Sequence, residues 1–241
     1  MKRFNFSLRK PTQSIYLIVL FINIFFWIIS ELIFDGSSNI LITMGANYAP
    51  YVKKGETWRL LFSIFLHSGI SHLIFNSIAL LAFGNLIEQL FGKRNFLILY
   101  LCSGITGSAF SVALNNNAIS VGSSGAVFGL LGSLMIYYFY IRKFNPIYAK
   151  NNLIGIVILL VINLFYGLTY PRVDNWAHLG GLLGGVFSSS MLLYFNVRNN
   201  INLIISILSF IIWGYMIFLL INTLFELKAN VKNWMVFYRK W

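Results

Sequence analysis

Acidic residues are nearly missing from this chain. Six occur in 241 residues, Glu31, Asp35, Glu56, Glu88, Asp174 and Glu226, against 18 lysines and arginines. Charged residues of both signs make up 10% of the chain and hydrophobic ones 58%. A soluble domain carries about 25% charge, so a water-soluble globular fold is excluded. In a soluble protein the net charge of +12 would point to nucleic acid. Here the cations stand between apolar runs, where they set topology and meet lipid headgroups, and no nucleic acid is expected. The single cysteine, Cys102, lies inside an apolar run. That excludes a disulfide framework and a cysteine metal cluster, and no metal is expected.

Long hydrophobic runs fill the space that charge leaves. A hydrocarbon core about 30 Å thick takes roughly 20 apolar residues per helix. By that ruler the chain has seven spans: Ser14–Phe34, Ile70–Phe91, Phe96–Leu114, Ser124–Ile141, Leu153–Tyr170, Ala177–Val197 and Ile201–Phe225. The first is too long for a cleaved signal peptide. The expected fold class is an all-α polytopic membrane protein. It divides into a basic N-terminus (1–13), a six-helix core (14–197), a seventh transmembrane helix (198–225) and a basic, aromatic tail (226–241).

Lys2, Arg3, Arg9 and Lys10 precede the first span and place the N-terminus in the cytoplasm. The loops that return to that side carry Lys93 and Arg94, then Arg142, Lys143 and Lys150, then Arg198. The second, fourth and sixth spans then all enter from the outer side. His72 opens the second, Ser124 the fourth and His178 the sixth. A serine, two histidines and Asn76 therefore share one layer just below the outer surface.

Their positions on the helices are consistent with a common site. His72 and Asn76 are four apart and share a face, as do Ser124 and Phe128. His178, Gly181 and Gly185 fall on one stripe, and small residues on a membrane helix let a neighbour approach closely. Gly125 and Gly129 give the fourth span a matching stripe. Taken singly, the glycines and serines of "GSSGAVFGLLG" read as packing, and each histidine as a helix-start or interhelical hydrogen bond. Polar groups inside a membrane are costly, however, and usually face a cavity or a partner. Together at one level they point to a site.

A serine hydroxyl needs a base to take its proton, and histidine is the usual base near neutral pH. Ser124 and His178 supply that pair. Attack on an amide carbonyl develops an oxyanion that needs fixed donors. His72, Asn76 and the free backbone N–H of Ser124 at its helix start can provide them. Asp174, four residues before His178, is a possible orienter of the imidazole, and Phe128 could hold the ring by stacking instead. The lipase-type elbow G-x-S-x-G does not fit, since position 126 is Ala and the context is helical.

Five motifs, in order from Glu56 to Gly185, resemble the rhomboid family of intramembrane serine proteases. "ETWRL" is similar to its W-R signature through Trp58 and Arg59. "HLIFN" is similar to H-x-x-x-N through His72 and Asn76. "GNLIEQLFG" is similar to G-x-x-x-E-x-x-x-G through Gly84, Glu88 and Gly92. "GSSG" is similar to G-x-S-G, with Gly122 and Gly125 flanking, and "AHLGG" to A-H-x-G-G. The resemblance implies a six-helix core with the first loop partly in the membrane, Ser124 as nucleophile, His178 as general base and His72 and Asn76 as oxyanion residues. It implies no cofactor, and single-span membrane proteins as substrates cleaved near the outer surface. Many members carry Tyr where this chain has Phe128, which keeps the ring but not a phenol hydrogen bond.

The remaining polar residues read structurally. Trp58 and Arg59 anchor the first loop at the membrane interface, with Glu56 as a partner; Glu88 satisfies loop or helix-end amides near the inner end. His67 has a possible part in shaping water access, and replacement of Ser123 should be far milder than that of Ser124. A competing reading is a non-catalytic membrane protein that binds transmembrane segments or transports a small solute. The lack of acids in spans three to seven argues against a cation-coupled pump. A weaker third reading is a membrane acyltransferase. The composition, rich in Asn, Ile, Lys and Phe, suits a bacterial plasma membrane.

Overall fold

A computed structural model of the chain describes residues 14–115, 118–170 and 173–197, together with Ile207, Ile211 and Trp213. The basic segment 1–13, the tail and, apart from those three residues, the seventh span lie outside the described residues.

Helices dominate, and six are long and apolar enough to cross a membrane: Ile15–Ile33, Ile70–Phe91, Lys93–Leu114, Ser124–Ile141, Pro146–Thr169 and Asn175–Leu193. The chain is an all-α, polytopic integral membrane protein. Its first span is helix α1 (Ile15–Trp27), continued by a wider π-helical turn, Ile28–Ile33. The long first loop is itself built, from short helices α2 (Ser38–Met44), α3 (Ala49–Lys53) and α4 (Arg59–Phe62). A two-residue strand β1 (Asn47–Tyr48) pairs antiparallel with β2 (Ile119–Ser120), Asn47 opposite Ser120. The second span is α5 (Ile70–Ala79), a π turn at Leu80–Gly84, and α6 (Asn85–Phe91). Then follow α7 (Lys93–Leu114), α8 (Ser124–Ile141), α9 (Pro146–Thr169) and α10 (Asn175–Val197).

Two starts differ from the hydropathy reading by three residues or more, and the sixth span begins at Asn175, two residues before the expected Ala177. The third span begins at Lys93 rather than Phe96, because Gly92, at φ 87, turns the chain straight into α7 and leaves Lys93 and Arg94 in its first turn. The fifth begins at Pro146 rather than Leu153. Asn145 caps it by accepting the Tyr148 N–H at 3.3 Å, and Pro146 occupies the first helical position, where a missing N–H costs nothing. Hydropathy alone overlooked this polar first turn.

Helices α7, α8 and α10 form the centre, packed on faces of glycine, alanine and serine. Apolar side chains between lipid tails and between helices differ little in free energy, so close backbone approach is what holds membrane helices together. Leu80, Ile87, Phe96, Leu99, Tyr100 and Leu130 fill the space against α1, α5 and α6 and are fully buried. Glu88 crosses between helices: its Oε2 accepts the N–H groups of Ile15 at 2.9 Å and Tyr16 at 3.2 Å. The carboxylate thus satisfies the orphan amides that begin α1 and complements that helix's dipole. This is the helix-end role read from its sequence position. Helix α9 packs chiefly on α8 and turns Ile154, Val157, Ile158 and Val161 outward. Trp213 Nε1 donates to Thr106 Oγ1 on α7 at 3.3 Å.

Candidate active site

Helices α5, α8 and α10 all begin at one end of the bundle, and the turn that leads into α8 lies where they meet. The Gly122 N–H donates to the Ser63 carbonyl at 3.0 Å, which ties this turn to the end of the first loop. Gly122 has φ +117, and a Cβ there would lie 2.6 Å from both Cε1 and Nε2 of His72 and 3.5 Å from Asn76 Nδ2. Glycine is required on both counts, by conformation and by space. It brings the imidazole of α5 and the amide one turn below it against the segment that carries Ser123 and Ser124.

Ser124 is the first residue of α8, and His178 stands in the first turn of α10. His178 Nε2 and Ser124 Oγ are 2.9 Å apart, a hydrogen bond across 54 residues of sequence. The Phe128 ring stacks on the imidazole, centroids 4.2 Å apart and planes at 8°. Phe128 therefore fixes the ring plane from α8 itself, the helix that also presents the hydroxyl.

Asp174 does not take the orienting role that its spacing allowed. Its Oδ1 accepts the Ala177 N–H at 3.1 Å, and its carbonyl accepts the His178 N–H at 3.1 Å. The carboxylate is an N-cap for α10, satisfying one of the amides that a helix start leaves open. His178 Nδ1 and Asp174 Oδ2 are both buried and unpaired. The pair is thus a serine and a histidine without a bonded carboxylate.

His72 Nδ1 lies 3.3 Å from Ser68 Oγ, and Asn76 Nδ2 donates to the His72 carbonyl at 3.2 Å. A Ser68 hydroxyl donating to Nδ1 puts the ring proton on Nε2, the atom beside Gly122. Asn76 keeps a second amide hydrogen for another acceptor. Sequence reasoning missed Ser68. It also missed Glu31, whose Oε1 accepts the Gly69 N–H at 2.8 Å just before α5. Ser68 lies just ahead of α5, where no helical periodicity applies, and the partner of Glu31 is 38 residues away across the first loop.

Beside this pair lies a second serine–histidine contact, wholly buried. Ser123 Oγ is 3.4 Å from His67 Nε2, and His67 Nδ1 is 3.3 Å from the Phe65 carbonyl. A carbonyl only accepts, so Nδ1 carries the ring proton and Nε2 accepts from the Ser123 hydroxyl. Both residues have no exposed surface, so neither can meet a substrate in this arrangement. Their bond braces the turn in front of Ser124. Ser123→Ala is expected to leave activity but lower it severalfold and to cost about 1 kcal/mol of stability, the ordinary worth of one hydrogen bond. Paired melting and rate measurements check this. Burial, helped by the neighbouring His72 and opposed by the bond to Phe65, holds the His67 pKa down at about 3. A depressed histidine pKa means that the unfolded state binds the proton first. Stability is therefore expected to be full above pH 6.5 and to fall as pH drops toward 3, and His67→Gln should flatten that slope in melting curves.

The other sequence-selected residues lie in the first loop and the helix contacts. Arg59 is 5% exposed and reaches inward, bridging Glu56 at 2.7 Å and donating to the carbonyls of Ile42 and Ala46. Its guanidinium lies 4.8 Å from the rings of both Tyr51 and Trp58. It knits the loop together from within, while Trp58 keeps 48% of its surface exposed. Gly125, Gly181 and Gly185 line the contact between α8 and α10. No group of three His, Cys, Asp or Glu able to hold a metal ion occurs among the described residues.

Fold and site together define a polytopic membrane protein with a paired serine and histidine at the mouth of a glycine-packed bundle. Residues 54–195 match the family model for the Rhomboid domain, and the chain belongs to the rhomboid family. It is 39% identical over 185 residues to Rhomboid protease GluP of Bacillus subtilis (strain 168), an alignment covering 76% of this chain and 35% of that protein. It is 39% identical over 176 residues to RHOMBOID-like protein 1 of Arabidopsis thaliana, covering 68% of this chain and 43% of that one. It is 36% identical over 195 residues to Rhomboid-like protease 1 of Toxoplasma gondii, covering 76% and 65%. The chain thus spans between about a third and two thirds of the length of these relatives.

Proposed function

We propose that this protein is an intramembrane serine endopeptidase that cleaves single-span transmembrane proteins near the outer surface of a bacterial plasma membrane, with its N-terminus in the cytoplasm. The observation that carries the reading is the 2.9 Å approach of His178 Nε2 to Ser124 Oγ. In this reading Nε2 takes the serine proton as Oγ bonds to the scissile carbonyl carbon, giving a tetrahedral intermediate. Its oxyanion is met by the Ser124 backbone N–H, His72 Nε2–H and Asn76 Nδ2–H, donors already fixed before reaction. His178 then passes the proton to the departing amine, and the ester left on Ser124 is hydrolysed by a water that the same imidazole activates. Phe128 keeps the ring aligned through both transfers, in place of a carboxylate on Nδ1. The two protease-named relatives support the assignment, and the free amides at the start of α8 suit it chemically.

The test is covalent. A fluorophosphonate should label the purified protein on Ser124, identified by peptide mass, and labelling should stop cleavage of a reconstituted transmembrane substrate. Labelling confined to other residues, or cleavage that persists on full labelling of Ser124, would sink the proposal.

A further inference from the structure

At the opposite end of the bundle from Ser124, α8 ends and α9 begins around an open recess of about 550 Å3. Arg142, Lys143, Pro146, Lys150, Leu153 and Ile154 line it. Three of these six residues are cations and none is an acid. Among the described residues Glu88 is the one carboxylate at this end, and it already accepts the amides of Ile15 and Tyr16. The guanidinium of Arg142 lies 3.8 Å from the Phe139 ring centroid, and the Lys143 ammonium lies 4.7 and 5.0 Å from those of Tyr140 and Phe144. Those rings rest the cations at the helix end without neutralising them.

The floor of the recess continues into a second feature. Below Lys150, steps of three and four along α9 pass Leu153 or Ile154, Val157 and Val161. Ile154, Val157 and Val161 are 47%, 45% and 60% exposed, an apolar track that starts at the cations and runs toward the middle of the membrane. A free phosphate would use the cations and leave the track without a role. A molecule with an anionic head and a hydrocarbon tail uses both.

We propose that this recess is a binding site for the phosphodiester headgroup of an anionic phospholipid. Arg142, Lys143 and Lys150 hold the phosphate, and an acyl chain lies along Ile154, Val157 and Val161. Basic pockets between membrane helices select anionic headgroups by this combination of charge and reach. The site is separate from the serine and histidine and does not depend on the reaction they perform.

Native mass spectrometry of the full chain in detergent, with phosphatidylglycerol and phosphatidylcholine of identical acyl chains, tests it. Wild type should retain phosphatidylglycerol about tenfold more than phosphatidylcholine. The triple variant Arg142→Gln, Lys143→Gln, Lys150→Gln should lose that preference, with an unchanged melting temperature because all three side chains are exposed. The variant Lys53→Gln, Lys54→Gln, which removes cations at the other end, should keep it. Excess inorganic phosphate should not displace the bound lipid. Equal retention of the two lipids, equal loss in both variants, or displacement by inorganic phosphate each overturns the proposal: the first leaves ordinary annular lipid, the second overall charge and the third a simple phosphate site.

Discussion

Ser124→Ala and His178→Ala are each expected to lower cleavage of a reconstituted transmembrane substrate by about 10^4-fold or more, and the double variant no further. Residues that act as one unit fail together, since a base without its nucleophile and a nucleophile without its base are equally idle. Both variants should fold, because neither touches the α8–α10 backbone approach, although His178→Ala also removes the ring that stacks on Phe128. Asp174→Ala distinguishes this site from a triad. In a triad, loss of the carboxylate misplaces the imidazole tautomer and costs several orders of magnitude in turnover. Here Asp174 caps α10 and makes no bond to Nδ1. Its removal should therefore cost about 1 kcal/mol of stability while turnover stays within a few fold. Phe128→Leu should lower turnover more than Asp174→Ala does, because it removes the surface against which the imidazole lies. Turnover in Asp174→Ala as low as in His178→Ala would show that a carboxylate is required, and would overturn the assignment of ring orientation to Phe128.

Much of this was legible before any coordinate. Six of the seven expected spans, and their order, follow from run length, a property of the bilayer as much as of the chain, and the helix starts that carry His72, Ser124 and His178 follow from the same count. The one-face rule also placed His178 with Gly181 and Gly185, and the structure shows that stripe against α8. Less legible was anything that depends on the first loop. Arg59 read as an interface anchor because tryptophan and arginine commonly sit there. It is instead buried, donating to the carbonyl of Ile42 in the last turn of α2 and to that of Ala46 just beyond it. Ser68, Glu31 and the Ser123–His67 brace were hidden because each pairing involves the segment Leu66–Gly69, which is in no helix or strand and so has no periodicity to read. Asp174 shows the opposite failure. Spacing of four to His178 is compatible with an orienting bond and with an N-cap, and the open amides at the helix start decided for the cap.

The largest structural effect is expected from a single methyl group at Gly185. A Cβ on Gly185 would overlap the Gly129 carbonyl, and one on Gly181 would overlap the Gly125 carbonyl. The obstructing atoms are backbone inside a regular helix, so no side-chain rotation relieves them and α8 must move away from α10. That movement also strains Ser133 Oγ, whose one hydrogen is shared between Gly129 O at 2.9 Å and Gly185 O at 3.2 Å, a contact that spans the two helices. It separates the helix that carries the serine from the helix that carries the histidine. A displacement near 1 Å is enough to cost about 100-fold in rate, because the proton must pass along one short bond. Gly185→Ala is therefore expected to lower the melting temperature and to reduce turnover by about that factor. Gly155→Ala is the control: nothing lies within 4 Å of a Cβ there, on α9. It should raise helix stability by up to about 1 kcal/mol and leave turnover unchanged. Wild-type turnover in Gly185→Ala would mean that α8 and α10 can part without disturbing the pair, and the close glycine packing would then have no part in holding the site.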